Sequence, residues 1–192
     1  MHGITGCREV FGGTRTMIFE SLAIDGAKLI RLEPRADDRG SFARLFCVDE
    51  LRQAGIEMNI AQINMGKSMK KGTLRGMHMQ IGESAEQKFF RCIRGKVFDV
   101  FVDVRPESPT YLKHVGVELS EENGLALYIP PGCAHGYLTL EDDSVVMYAV
   151  QTAYAPLHER GYRWNDPAFQ IEWPMEPLIL TEKDRSWPDY QG

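Results

Sequence analysis

The chain is short of positive charge, of long apolar runs, of cysteine and of helical pattern, and each shortage excludes something. Its 22 Lys and Arg against 27 Asp and Glu leave a net charge of −5 and a pI near 5.6. That is not the basic footprint of a nucleic-acid-binding protein, so its arginines must be read one at a time. No apolar run approaches the length of a membrane span, and the opening MHGITGCREVFGGTRTM lacks the hydrophobic centre of a signal peptide. A soluble, cytoplasmic protein with no membrane partner is expected. The four cysteines, Cys7, Cys47, Cys92 and Cys133, show no C-x-x-C spacing and read as reduced thiols, Cys47 and Cys92 in the core. Helical signal is confined to residues 49–54, which Asp49 could cap, and to a terminal turn over 181–184. Repeats, heptads and low-complexity stretches are absent.

What is present is β pattern. Short runs rich in β-branched and aromatic residues cover 28–33, 41–47, 60–68, 72–80, 87–93, 96–104, 114–119, 126–129, 135–140 and 145–152, separated by Gly, Pro and acidic turn signals. Along 96–105, Phe98, Val100, Val102 and Val104 alternate with Asp99 and Asp103, which predicts a strand with one packed and one polar side. The 192 residues are divided into a flexible extension over 1–16 and one all-β domain over 17–192, a sandwich or barrel with a few short helices and a loop-rich tail after Pro156. Trp164, Trp173 and Trp187 in that tail are expected to cover a core.

The chemistry concentrates in RGMHMQ (residues 75–80), Lys88 and PPGCAHGY (residues 130–137). Gly72 to His78 and Gly124 to His135 resemble the two halves of the cupin signature, G-x5-H-x-H…E-x6-G and G-x5-P-x-G-x2-H. Two of its metal-ligand positions are changed. Gln80 stands where the second histidine belongs, and Lys88, seven residues before Gly95, stands where the acid belongs. An ammonium cannot ligate a divalent cation, so the expected pocket has no metal and no cofactor, with a fixed positive charge instead. A cation beside a histidine in a dry pocket suits proton removal next to a carbonyl, because it can stabilise the enolate oxygen. Either residue alone reads more simply as a hydrogen-bonded histidine or a solvated lysine; the set with Arg75 favours chemistry.

The blocks DDRGSFARLF, AQIN, GTLRGMHMQ, KFFRCIRGKVFDVFVDVRPESPT, LYIPPGCAHGYLTL, YAVQTAYAP, RWNDPAFQIEWP and LTEKD, spread over residues 17–187, resemble the dTDP-4-dehydrorhamnose 3,5-epimerases. The resemblance implies a homodimeric, cupin-like jelly roll that inverts C3 and C5 of a nucleotide-linked 4-keto-6-deoxy sugar without metal or organic cofactor. It places the base on His78, the aspartate that orients it on Asp184, the carbonyl-polarising cation on Lys88 and the proton donor on Tyr148. A phenol can act as that donor if a nearby cation lowers its pKa. It places Arg39, Arg75, Lys183, Gln62, Asn64, His135, Tyr154 and, more loosely, Glu159 around a nucleotide-diphosphate sugar, where guanidinium forks suit the diphosphate. Tyr137 and Tyr162 are read as structural. Arg44, counted with the binding residues, departs from the glutamate usual beside the nucleotide. A donor cannot replace an acceptor, which leaves the base open.

Three alternatives stand beside this expectation. The reaction is a C3-only or C5-only epimerisation or a keto shift on a related nucleotide sugar; the protein is a sugar-nucleotide-binding cupin without catalysis; or it is a metal-dependent cupin oxygenase, which Gln80 and Lys88 disfavour.

Overall fold

The structure, a computed structural model, describes residues 16–192. The expected extension therefore lies outside the described residues except for Thr16, as does Cys7. Thr16 is no loose end. It is buried, and its amide and hydroxyl both donate to the Glu50 carboxylate, at 3.0 and 2.9 Å.

In chain order the elements are β1 (Met17–Ser21), β2 (Lys28–Leu32), β3 (Arg35–Asp37), β4 (Gly40–Phe42), α1 (Val48–Gln53), β5 (Gln62–Ser68), β6 (Leu74–Gln80), β7 (Lys88–Arg94), β8 (Lys96–Asp103), β9 (His114–Ser120), β10 (Ala126–Ile129), β11 (Cys133–Thr139), β12 (Ser144–Val150), β13 (Glu159–Gly161) and α2 (Glu182–Ser186). They form a six-stranded sheet in the order β1-β2-β10-β7-β12-β5, a five-stranded sheet in the order β13-β6-β11-β8-β9, and the separate hairpin β3-β4. All ladder pairings between these strands are antiparallel. Successive strands such as β5 and β6, or β7 and β8, cross from one sheet to the other, which is the jelly-roll arrangement. The fold is all-β and cupin-like. No helix among the described residues is long and apolar enough to cross a membrane.

Three apolar clusters hold the sheets. Phe90, Val97, Phe101, Leu127, Ile129, Tyr137 and Val146 meet between them. Leu51 of α1 joins Met17, Ile30, Phe89 and Ala149 on the back of the six-stranded sheet. Val100, Val102, Ala134 and Phe169, with Trp173, back the five-stranded sheet.

The structure changes several expectations. Strand β8 is buried on both sides: Val100 and Val102 face the tail, whereas Asp99 and Asp103 have no exposure at all. Asp99 is paired with His135. Asp103 receives Arg105 Nε and Nη2 at 2.8 Å each, Thr110 Oγ1 at 2.7 Å and Ser108 Oγ, tying the β8–β9 turn. Among the described residues, the run 41–47 pairs as far as Phe42, where β4 meets the three residues of β3. Helix α1 starts one residue earlier than expected. Its N-cap is Cys47 without a side-chain bond, and Asp49 lies inside the first turn. The tail contributes β13, which pairs with β6, and Trp187, whose indole fills the space a side chain at Gly161 would need. Cys92 and Cys133 are buried free thiols, and Cys47 is half-buried.

Candidate active site

A cavity of about 620 Å³ opens between the two sheets, with Phe90, Tyr137 and His135 among its lining residues. Strict alternation along β6 would send Arg75 and His78 to opposite faces. Both line the cavity, with Gln80. The cause is in the pairing with β11: Tyr137 faces Arg75 and His135 faces His78, so three steps on β6 match two on β11. The extra residue is a bulge that re-aims the side chains beyond it. Gly76 sits there at φ +141°, where a built Cβ would lie 2.5 Å from Gly136 Cα.

His78 Nε2 lies 2.6 Å from Asp184 Oδ1. Asp184 is delivered by α2, whose cap Thr181 accepts the Asp184 amide at 3.1 Å. Burial alone would raise the Asp184 carboxyl. The hydrogen bond and charge of His78, with the Thr181 hydroxyl and the Gly76 amide, outweigh it and hold the carboxyl below its usual range. Trp187 packs edge-on beside the imidazole, ring centres 6.4 Å apart.

On the six-stranded sheet, Lys88 of β7 and Tyr148 of β12 face the same space. Lys88 is not a lone cation, for Glu86 Oε1 accepts from its Nζ at 2.5 Å. Tyr148 stacks on Phe90 with centres 5.8 Å apart. Its phenol is pushed up, not down, chiefly by burial and then by the charge of Glu86, with Arg75 acting weakly the other way. The expectation of a cation-lowered phenol is thus corrected. Tyr137, read as structural, also lines the cavity, and burial pushes its phenol up to about 12.

Gln62 and Asn64 face inward from β5, as their spacing requires, and Gln62 Oε1 accepts the Tyr154 amide at 2.6 Å. Glu159 receives Lys183 Nζ at 2.7 Å and the Tyr154 hydroxyl at 2.8 Å, so these three form one rim. Burial would raise the Glu159 carboxyl, but these bonds bring it below its usual range. His135 Nε2 lies 2.8 Å from Asp99 Oδ2. Complete burial raises the Asp99 carboxyl despite the imidazole, and its Oδ1 has no hydrogen-bond partner among the described residues.

Two residues named from the sequence are not in this cavity. Arg39 projects from the tip of the β3–β4 hairpin, nine-tenths exposed, and pairs with Asp37 at 2.6 Å. Arg44 binds Glu50 Oε1 at 2.6 Å beside Thr16, Glu33 and Phe42. Glu86 and Asp99 line or back the site without having been singled out from the sequence, where Asp99 was placed only on the polar side of a strand. The unmet hydrogen bonds of a buried lysine and histidine were the available signal. Among the described residues, no three His, Cys, Asp or Glu side chains converge as a metal-ligand set.

A sequence profile of the dTDP-4-dehydrorhamnose 3,5-epimerases matches residues 21–191. This chain belongs to that family. A dTDP-4-dehydrorhamnose 3,5-epimerase of Sinorhizobium fredii is 46% identical over 180 residues, covering 92% of each chain. Among solved structures, the epimerase of Bacillus anthracis with TDP and pyrophosphate bound superposes with a TM-score of 0.87 at 36% identity, over 91% of this chain and 99% of that one. The dTDP-6-deoxy-D-glucose-3,5-epimerase of Legionella pneumophila, in complex with dTDP-4-keto-L-rhamnose, gives 0.85 at 35% identity, over 90% and 92%. In this family member the cavity, the His78–Asp184 pair, Lys88 and Tyr148 lie together on one fold.

Proposed function

We propose that the chain is an isomerase that inverts C3 and C5 of a nucleotide-linked 4-keto-6-deoxy sugar, with dTDP-4-dehydro-6-deoxy-D-glucose giving dTDP-4-dehydro-L-rhamnose. The observation that carries the reading is the convergence of an imidazole–carboxylate pair, an ammonium and a phenol on one cavity. With Nε2 engaged by Asp184, Nδ1 of His78 is left to take the proton beside the C4 carbonyl. Asp184 fixes the tautomer and stabilises the imidazolium. The Lys88 ammonium meets the oxygen as the enolate forms. Tyr148 stands on the opposing sheet and, held protonated, can return a proton to the face opposite His78.

Arg75 and Lys183 are the cations available in the cavity for the diphosphate, with Gln62, Asn64, His135, Tyr154 and Glu159 shaping the rest. Arg39 and Arg44, outside this chain's own cavity, take part only if a second copy brings them to one. Residues 17–192 act as one catalytic domain. A homodimer fits the edge strand β5, where Ile63 is 62% and Met65 70% exposed. Light scattering checks it, and a monomeric mass would refute it. A cytoplasmic setting fits the free thiols of Cys47, Cys92 and Cys133.

The reaction is tested by following C3 and C5 by NMR in D2O with dTDP-4-keto-6-deoxyglucose. Deuterium at both carbons with an L-sugar product supports the reading. Exchange at one carbon makes the chain a mono-epimerase, and binding without exchange makes it a binding protein.

A further inference from the structure

Glu86 divides its two carboxylate oxygens between the cavity's cation and its scaffold. Oε1 accepts from Lys88 Nζ at 2.5 Å, and Oε2 accepts from Gln80 Nε2 at 2.9 Å. The side chains of Glu86 and Lys88 are 13% and 10% exposed, so the pair is part of the cavity wall and not of the outer surface. Gln80 is itself buried and fixed. Its Oε1 accepts the Ala155 amide at 2.6 Å, which ties it to the loop carrying Tyr154. A carboxylate gripped in this way cannot follow a flexible lysine; the lysine follows it.

We propose that Glu86 is a positioning residue for the reaction: clamped by Gln80, it aims the Lys88 ammonium at the substrate carbonyl and shares that cation with the enolate that forms there. The inference rests on the epimerase reading given above. An ammonium is a compact charge with three rotatable donors on a four-carbon stem and no direction of its own. Its bond to Glu86 fixes one donor and leaves two for the cavity. The carboxylate also spares the empty pocket an uncompensated buried cation. When negative charge appears on the substrate oxygen, the ammonium gains a second anionic partner, a stabilisation that grows toward the transition state. The same carboxylate acts on the Tyr148 phenol, which supplies a second and separate readout.

The test compares Glu86→Ala and Glu86→Gln with the unaltered full chain on dTDP-4-keto-6-deoxyglucose, measuring kcat, KM, deuterium exchange at C3 and C5, the pH profile and dTDP affinity. Glu86→Ala is expected to lower kcat about 10- to 100-fold through misplacement of the cation, with KM and dTDP affinity held within roughly threefold. Glu86→Gln, which keeps an acceptor oxygen, should recover part of that loss. In both variants the alkaline limb should move to lower pH, because the charge that raises the phenol is gone. An unmoved limb with a Glu86→Ala kcat within roughly twofold of the parent overturns the proposal. So does joint loss of kcat and dTDP affinity in both variants, which would make Glu86 a structural residue. If the parent chain itself exchanges neither carbon, the epimerase reading falls; if it exchanges and the variants match it, only the role of Glu86 falls.

Discussion

The His78 imidazole on β6 and the Asp184 carboxylate on α2 meet at 2.6 Å although 106 residues separate them in the chain. Asp184 is almost fully buried, while His78 keeps a third of its side chain open to the cavity. The proposed base is thus open to the cavity, and the carboxylate proposed to orient it is sealed behind it. Asp184→Asn replaces the acceptor oxygen with an amide that can turn the imidazole to the wrong tautomer. The expected result is a fall in kcat of about 10² to 10⁴ with dTDP affinity retained, read by steady-state kinetics and calorimetry. His78→Ala should abolish exchange at both C3 and C5 with binding again retained. Full activity in the alanine variant would remove His78 from the mechanism.

The phenol of Tyr148 is raised above its ordinary value near 10 by burial and by Glu86. Its protonated form therefore persists across neutral pH, and its deprotonation is expected at higher pH than that of an ordinary phenol. Tyr148→Phe should keep proton abstraction, and so washout of label, while impairing inversion. A Tyr148→Phe enzyme that forms L-sugar at the parent rate would place the proton donor elsewhere.

The site was legible where it followed local spacing and obscure where it followed packing. Gly72, His78, Gly124 and His135 stand at fixed offsets, so two segments of the cavity could be found from the chain alone, and the turn signals divided most of the strands correctly. Asp184 could be joined to His78 only through family resemblance, since no periodicity spans such a distance. Strand β8 was found with its packed and polar sides, but alternation reports two faces without saying what covers each. Its carboxylates are buried against His135 and Arg105, not hydrated. The shared orientation of Arg75 and His78 depends on a register shift, which a rule of period two cannot contain.

Asp103 gives an acid-stability prediction. Burial alone would raise its carboxyl, but Arg105, Ser108, Thr110 and the Arg105 amide bring it down to about 2. An unfolded aspartate titrates near ~3.9, so the folded state holds fewer protons between these values. The contribution is present in full above the unfolded pKa and is lost as pH falls toward about 2. It amounts to roughly 2 kcal/mol. Urea unfolding at several pH values should show the parent's advantage over Asp103→Asn shrinking steadily below about pH 5. A gap that stays constant down to the acid limit would show that the carboxylate's ionisation is not what stabilises the turn.

The bulge at Gly76 links stability to catalysis, because the same residue that permits the register shift keeps Arg75 and His78 on one wall. Gly76→Ala introduces a Cβ 2.5 Å from Gly136 Cα and 3.0 Å from the His135 carbonyl, in a backbone conformation of φ +141° that L side chains rarely adopt. Both contacts are backbone, so no side chain can rotate away to relieve them. Overpacking together with an unfavourable dihedral should cost about 2 to 4 kcal/mol. In a chain of this size that lowers Tm by roughly 5 to 15 °C. Activity measured well below the new Tm should still fall, because either β6 straightens and carries Arg75 away from His78, or β11 yields and moves His135. An alanine variant with unchanged Tm and unchanged kcat would show that the bulge tolerates a side chain and that the shared orientation of the two residues does not depend on glycine.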